Sequence, residues 1–238
     1  MGTPERLVAA LSRRFREAAD EERAAGMKAY MRGQFAFLGV PKDTRTELER
    51  EAIAEVLGGP RGRLTEAELA TTARLLFAKP EREFAYTALT LLRRHVPRVG
   101  TPAFLAVLRE LVLEKSWWDT VDDLAQNAVG PLVARYPVLA AVMDEWAQSD
   151  HMWIARTAIL HQNKYKKATD AKRLFAYCKA RAQEKDFFYR KAIGWALRNY
   201  AATAPEAVAR FCDANESILS GLSLREARRG VERAQTER

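Results

Sequence analysis

The stretch Trp153–Tyr165, WIARTAILHQNKY, has a counterpart on each side at a spacing of 35 residues. Trp118–Gly130 precedes it and Phe188–Tyr200 follows it, so a large aromatic ring opens all three segments. A segment that recurs at about 35 residues is typical of helix-pair repeats, in which each unit rests its apolar face on its neighbours. The sequence therefore predicts a curved α-solenoid; a chance match among amphipathic helices is the alternative.

Glycine and proline separate the periodic segments along the whole chain, which is where helices stop and start. No stretch alternates apolar and polar residues between hairpin turns, so we expect an all-α fold without strands. The length of 238 residues allows one large domain or two small ones. Because no long linker interrupts the helical pattern, we predict a single domain over residues 1–238.

Several functional classes are excluded by composition. No run approaches 18 apolar residues, and the charged N-terminal segment is typical of an amphipathic helix rather than a signal peptide. Two cysteines and three scattered histidines form no metal-binding motif, and phosphate loops and hydrolase nucleophile motifs are absent from the sequence. We therefore expect a cytoplasmic protein without metal, cofactor or membrane contact.

The positive charge is concentrated in one segment. Lysine and arginine exceed the acids by eight overall, but residues 151–200 alone carry 12 bases and 3 acids. Such a segment attracts polyanions, chiefly nucleic acid. A solvated helix face is the simpler interpretation, and the localisation of the charge favours a partner.

Asp122 differs from the residues at equivalent positions of the repeat. Those residues are Thr87, Thr157 and Ala192, all small and uncharged. Trp118 lies one helical turn before Asp122 and shares its face. Two interpretations stay open at this point: Asp122 pairs with Arg156 or Lys191, or it stabilises a positive charge or activates water in a reaction.

A second candidate cluster lies 70 residues further on. Phe188, Lys191, Trp195 and Arg198 follow helical spacing and form one stripe. Because Phe188 is the repeat equivalent of Trp118, we expect the stripe to face Asp122. Aromatic rings among bases suit base stacking and phosphate contact, whereas an aromatic stripe alone is more often core. Trp117 and Trp146 are expected to be core residues.

Longer motifs surround these positions: Met27-Lys-Ala-Tyr-Met-Arg32 with Phe37-Leu-Gly39, Pro80-Glu-Arg-Glu-Phe84, Lys115-Ser-Trp-Trp-Asp-Thr-Val-Asp122, Trp153-Ile-Ala-Arg156 and Lys191-Ala-Ile-Gly-Trp-Ala-Leu-Arg198. With them the chain resembles the AlkD-type DNA alkylation repair family over nearly its whole length. The resemblance implies HEAT-like repeats that grip duplex DNA in a concave basic face. The segment over residues 40–45 departs from the polar sequence that the family has there.

The resemblance also implies an activity and its residues. Members of the family are monofunctional glycosylases that release N3- and N7-alkylated purines from DNA without extruding the base. The catalytic aspartate falls on Asp122, and the two active-site tryptophans fall on Trp118 and Trp195. Residues expected to contact DNA are Arg156, Lys191, Arg198 and Tyr30. The expected partner is double-stranded DNA containing alkylated purines, and the protein is expected to bind it as a monomer, associated with the nucleoid while bound. The alternative function is that of a non-catalytic HEAT-like scaffold that binds DNA or protein.

Overall fold

The computed structural model describes residues 1–236 and is all-helical over them, as predicted. Outside the helices it has one isolated bridge, between Ala36 and Glu81. The chain divides into a first unit, Met1–Lys115, and a second unit that starts at Ser116. No helix within residues 1–236 is long and apolar enough to cross a membrane.

The first unit contains α1 (Thr3–Glu17), α2 (Glu21–Tyr30), α3 (Lys42–Leu57), α4 (Glu66–Phe77), α5 (Arg82–Val99) and α6 (Phe104–Leu113). The second unit contains α7 (Trp118–Leu124), α8 (Gly130–Arg135), α9 (Ala140–Ala147), α10 (Met152–Leu160), α11 (Ala171–Ala180), α12 (Phe187–Ala201), α13 (Pro205–Ala214) and α14 (Gly221–Thr236). A π-helical turn, Ala125–Val129, joins α7 to α8.

In the first unit a buried carboxylate anchors a loop to α5. Glu83 Oε1 accepts hydrogen bonds from the backbone N–H groups of Leu38 and Gly39 at 2.9 and 2.8 Å. Beside it, the Arg82 guanidinium stacks on the Phe35 ring at 3.7 Å. The two hydrogen bonds satisfy backbone N–H groups and one carboxylate oxygen that burial would otherwise penalise. They account for the proximity of two motifs that are more than 40 residues apart in sequence.

The 35-residue period of the second unit corresponds to contacts between successive repeats. Tyr165 Oη donates to the carbonyl oxygen of Gly130, its equivalent one repeat earlier, at 2.6 Å. The rings of Trp153 and Phe188, also one repeat apart, lie 4.9 Å apart between centroids. Equivalent residues of neighbouring repeats therefore touch, which is what stacked helix pairs require.

The last repeat packs closely because Gly194 has no side chain. A Cβ atom at Gly194 would lie 2.8 Å from the Cβ of Glu226 on α14. Such a distance is below ordinary van der Waals contact, so any larger residue would force α12 and α14 apart. The glycine of the Lys191–Arg198 motif is thus explained by packing, and it brings Glu226 next to the cations of α12.

Candidate nucleic-acid and catalytic site

The site is built on α7, the first helix of the second unit. Trp117 occupies the N-cap position in extended conformation, and α7 begins at Trp118. Trp118 and Asp122 therefore lie one turn apart on this helix, as expected. The π-helical turn begins three residues after Asp122, and such turns are frequent at functional sites.

Asp122 forms a bidentate ion pair with Arg156 of α10. Arg156 Nε donates to Asp122 Oδ1 and Nη2 donates to Oδ2, both at 2.7 Å. A third guanidinium nitrogen, Nη1, donates to the carbonyl oxygen of Phe188 on α12. Of the two partners considered for Asp122, the structure therefore has Arg156. Its guanidinium, on α10, joins the Asp122 carboxylate of α7 to the Phe188 carbonyl of α12.

Burial shapes the chemistry of this pair. The exposed fraction of the side chain is 13% for Asp122 and 3% for Arg156. Loss of water raises the pKa of the Asp122 carboxyl above its ordinary value of 3.8, while the hydrogen bonds from Arg156 oppose that rise. Each carboxylate oxygen accepts one bond from Arg156 and has a further lone pair, so the carboxylate is oriented and still able to accept.

The position of Arg156 bears on its expected contact with phosphate. Its side chain is almost fully buried, and its guanidinium is directed at Asp122 and the Phe188 carbonyl rather than at solvent. A phosphate contact needs an accessible guanidinium. The structure thus places Arg156 behind the carboxylate, as a residue that positions Asp122.

A cluster of aromatic rings lies beside the ion pair. Trp117 packs on Trp153 and Phe188 with centroid distances of 5.9 and 5.2 Å. The Arg156 guanidinium lies 5.8 Å from the centroid of the Phe188 ring. Trp117, which is partly exposed, joins this cluster, whereas Trp146 is buried in the core as expected.

Trp195 lines a cleft of about 480 Å³ in the second unit. The other wall includes Gln126, whose side-chain amide donates to the carbonyl oxygen of Asp122 at 2.9 Å. The lining is mixed polar and apolar and includes Lys164, Lys166 and Asn199. Trp195 is thus partly exposed at a basic cleft whose edge adjoins the backbone of Asp122.

Lys191 and Arg198 share a partner that sequence analysis did not identify. Lys191 Nζ donates to Glu226 Oε1 at 2.9 Å, and Arg198 Nη1 donates to Glu226 Oε2. Glu226 is buried, and the hydrogen bond from Lys191 leads the effects that lower the pKa of its carboxyl. The two cations keep about two fifths of their side chains exposed. A buried carboxylate therefore holds two accessible cations side by side.

Tyr30 lies at the end of α2 in the first unit, where 74% of the residue is exposed. An exposed tyrosine presents a flat ring for stacking or a hydroxyl for hydrogen bonding. The ring of Tyr30 is therefore accessible, and its contact with DNA stays a prediction.

Comparison with known proteins gives a consistent result. A family model described as DNA alkylation repair enzyme matches residues 11–231. A solved structure described as a predicted DNA alkylation repair enzyme from Enterococcus faecalis is 30% identical, with a TM-score of 0.77. The alignment covers 88% of this chain and 94% of that one. No curated protein matches the chain.

Proposed function

The chain belongs to the DNA alkylation repair enzyme family, and from that premise we propose that it is a monofunctional DNA glycosylase. Its substrates in this proposal are duplex DNAs that carry cationic N3- or N7-alkylated purines. The observation that carries the proposal is the buried, bidentate Asp122–Arg156 pair on a helix that also carries Trp118. In this proposal the carboxylate that Arg156 orients stabilises a cation at the sugar.

The proposed reaction is hydrolysis of the N-glycosidic bond. The C1′–N bond breaks, its electron pair neutralises the cationic base, and the sugar acquires oxocarbenium character. The oxygen of a water molecule bonds to C1′, and its proton passes to Asp122 and then to solvent. Because the base departs neutral, the site needs no general acid. A neutral lesion such as uracil is therefore expected to be a poor substrate.

In this proposal Asp122 acts as an ionised carboxylate. Its negative charge stabilises the developing cation, and the remaining lone pair of an oxygen orients the attacking water. Arg156 fixes the plane of the carboxylate and favours its ionised form against the effect of burial. We assign Arg156 as a positioning residue, because its own guanidinium is buried behind Asp122.

Trp118 and Trp195 are proposed to contact the deoxyribose of the damaged nucleotide. An indole face attracts a cation, so two indoles near the sugar stabilise the same charge as Asp122. The support is the helical register of Trp118 with Asp122 and the cleft beside Trp195. The lysines of that cleft favour a negatively charged polymer as its occupant.

Lys191 and Arg198 are proposed to bind DNA next to the lesion, and Tyr30 is proposed to contact DNA from the first unit. Lys191 and Arg198 are accessible and held together by Glu226, which suits contacts with flanking phosphates. Tyr30 supplies an exposed ring on the first unit. These contacts supply affinity rather than chemistry. Their loss is therefore expected to weaken DNA binding and to leave the rate of base release from bound substrate nearly unchanged.

The direct test is base release. The protein is incubated with duplex DNA that contains a single 7-methylguanine, and abasic sites are then cut with hot alkali. A matched duplex with a single uracil is the control for the charge of the leaving base. Alkali-dependent cleavage at 7-methylguanine, with little at uracil and none before alkali, supports a monofunctional glycosylase for cationic purines.

Three other results would contradict parts of the proposal. Cleavage before alkali would indicate a lyase step and contradict the monofunctional assignment. Tight DNA binding without release of 7-methylguanine, 3-methyladenine or a bulkier cationic purine would favour the non-catalytic scaffold. Binding that is insensitive to salt would count against DNA as the partner, since phosphate contacts release counterions.

A further inference from the structure

The first unit contains an arginine cluster that the proposed active site does not use. A cleft of about 360 Å³ is lined by Pro60, Arg61, Arg63, Arg94 and Arg98. Neither an acidic nor an aromatic side chain is among the described residues that line it. Four guanidinium groups around one cleft repel each other unless an anion joins them.

The loop that carries Arg61 and Arg63 has a defined shape. Gly58 ends α3 with φ of 74°, and Gly59 follows with φ of 146°, both in the region that favours glycine. A Cβ atom at Gly62 would lie 2.2 Å from the Cβ of Leu57, so the loop folds tightly onto the end of α3. The backbone thus places Arg61 and Arg63 on either side of a position, Gly62, where only glycine fits.

The other half of the cleft is the end of α5. Arg94 Nη2 donates to the carbonyl oxygen of Gly62 at 3.3 Å, which joins the helix to the loop. The three arginines Arg94, Arg98 and Arg63 all add to the effect of burial in lowering the pKa of His95 to about 4. The positive charges from loop and helix are therefore close enough to act on the same buried group.

Ordinary fold stabilisation explains only part of the cluster. Arg98 lies in the last turn of α5, where a cation interacts favourably with the helix dipole, and Arg94 is held by its hydrogen bond to Gly62. Arg61 and Arg63 lie in a loop and are exposed, and among residues 1–236 the structure gives neither of them an acidic partner. The end of α5 already carries Arg94 and Arg98. Two further exposed arginines beside it indicate that an external anion binds there.

The chemistry of the cleft narrows the kind of anion. Guanidinium groups match phosphate oxygens with two parallel hydrogen bonds, and a cluster of them suits a phosphate-rich ligand. Because the lining contains no aromatic ring, it offers no platform on which a base could stack. We propose that the Arg61–Arg63–Arg94–Arg98 cleft binds backbone phosphates of the DNA duplex, as a contact of the first unit separate from the Asp122 site. This inference rests on the proposed function, in which duplex DNA is the substrate.

The test is the salt dependence of DNA binding by the full chain. Affinity for an undamaged duplex is measured between about 50 and 200 mM salt for wild type and for Arg61→Gln/Arg63→Gln. Each lost phosphate contact is expected to make the slope of log affinity against log salt shallower by about 0.9, so the double variant should lose about 1.8.

A matched variant controls for net charge. Arg16→Gln/Arg109→Gln removes two exposed arginines from α1 and α6 of the same unit. Its slope should stay within about 0.5 of wild type, allowing for the general field of the protein. An equal slope change in both variants, or none in the cleft variant, would overturn the proposal. Melting temperatures of the two variants should match wild type, since all four side chains are exposed.

A free phosphate compound is the other source of the same chemistry. Calorimetric titration with inorganic phosphate distinguishes it: phosphate binding that the cleft variant loses, without any change in duplex slope, would contradict the DNA assignment. Base release is measured on the same preparations. A slope change without base release would support phosphate binding by the cleft and contradict the glycosylase activity. Base release with an unchanged slope would support the glycosylase activity and contradict phosphate binding by the cleft.

Discussion

Among the aspartate–arginine pairs of the second unit, Asp122–Arg156 and Asp144–Arg173 have similar geometry and different surroundings. Asp122 and Arg156 are joined by two hydrogen bonds of 2.7 Å, and Asp144 and Arg173 by bonds of 3.0 to 3.3 Å. The Asp122 pair is 13% and 3% exposed, whereas the Asp144 pair is 45% and 39% exposed. Arg173 also donates to Asp170, and Asp144 also accepts a hydrogen bond from Tyr177, so the pairs differ in burial and in their further partners.

The pKa of the two carboxyls moves in opposite directions. Burial raises the pKa of Asp122, while the hydrogen bond from Arg173 leads the effects that lower the pKa of Asp144. A buried ion pair costs desolvation free energy that an apolar pair of the same volume avoids. The Asp122 pair is thus poorly explained by stability, whereas the Asp144 pair is an ordinary surface interaction. That contrast favours a chemical role for Asp122.

The largest expected effect is on stability. Arg156→Met leaves the Asp122 carboxylate buried without its partner, and we expect a loss of about 3–5 kcal/mol in the free energy of unfolding. Arg173→Met removes the same charge from the exposed pair and should cost about 0–1 kcal/mol. Urea unfolding monitored by circular dichroism measures both. Losses of similar size would show that burial does not separate the pairs.

A second effect is the pH dependence that a buried histidine beside the Asp144 pair gives to stability. His161, buried beside Asp144 and Arg173, has a pKa lowered to about 4, chiefly by burial. The unfolded chain takes up this proton near pH 6.5 and the folded chain does not, so stability is full above pH 6.5 and falls towards pH 4. From that shift we expect a loss of up to about 3 kcal/mol.

Unfolding at pH 7.5, 6 and 5 checks this expectation, with His161→Asn as the comparison. Asparagine can donate to the Ala158 carbonyl oxygen as His161 Nδ1 does, but it does not titrate. The variant should lose less stability on acidification and keep the part that comes from His95, whose pKa is also lowered to about 4. An identical pH dependence in wild type and variant would contradict the assignment to His161.

The smallest effect is that of salt. The cost of Asp144→Asn should be below about 1 kcal/mol and should shrink further at 1 M NaCl, because exposed charges are screened. The cost of Asp122→Asn should change little with salt, because its pair is buried. Thermal unfolding at 0.05 and 1 M NaCl compares the two. A salt-sensitive cost at Asp122 would mean that water reaches the pair more freely than its burial indicates.

The repeat and the outline of the site could be predicted from sequence. The 35-residue spacing identified residues that touch between neighbouring repeats, as Tyr165 and Gly130 do. It also placed Arg156 among two possible partners of Asp122. Period and charge sufficed here because stacked repeats bring equivalent positions together.

The arrangement of the tryptophans could not be predicted in the same way. The repeat pairs Trp118 with Trp153 and Phe188, and the ring of Trp117, which lies outside that register, also packs on these two residues. Trp117 lies before the first turn of α7 in extended backbone, where side-chain direction does not follow helical spacing. Helix ends are uncertain by a residue or two in any sequence analysis, so the contribution of Trp117 to the aromatic cluster could not be predicted from the repeat.

Two further features were not predicted from the sequence, for different reasons. Glu226 lies 35 residues after Lys191, so continuing the repeat by one unit would have found it. The cleft around Arg61 and Arg94 escaped because the charge was summed over the sequence, where acids elsewhere in the chain balance these arginines. Only the fold brings the loop and the helix end together.

The most direct measurement is the single-turnover rate of 7-methylguanine release by wild type, Asp122→Asn and Asp144→Asn. Both variants make the same chemical change in an aspartate–arginine pair of the second unit, and melting curves and DNA affinity confirm that each is folded and binds. We predict a rate loss of about 100-fold or more for Asp122→Asn and less than about twofold for Asp144→Asn. Equal rates in both variants, or a loss at Asp122 that weakened DNA binding fully explains, would contradict a catalytic role for Asp122.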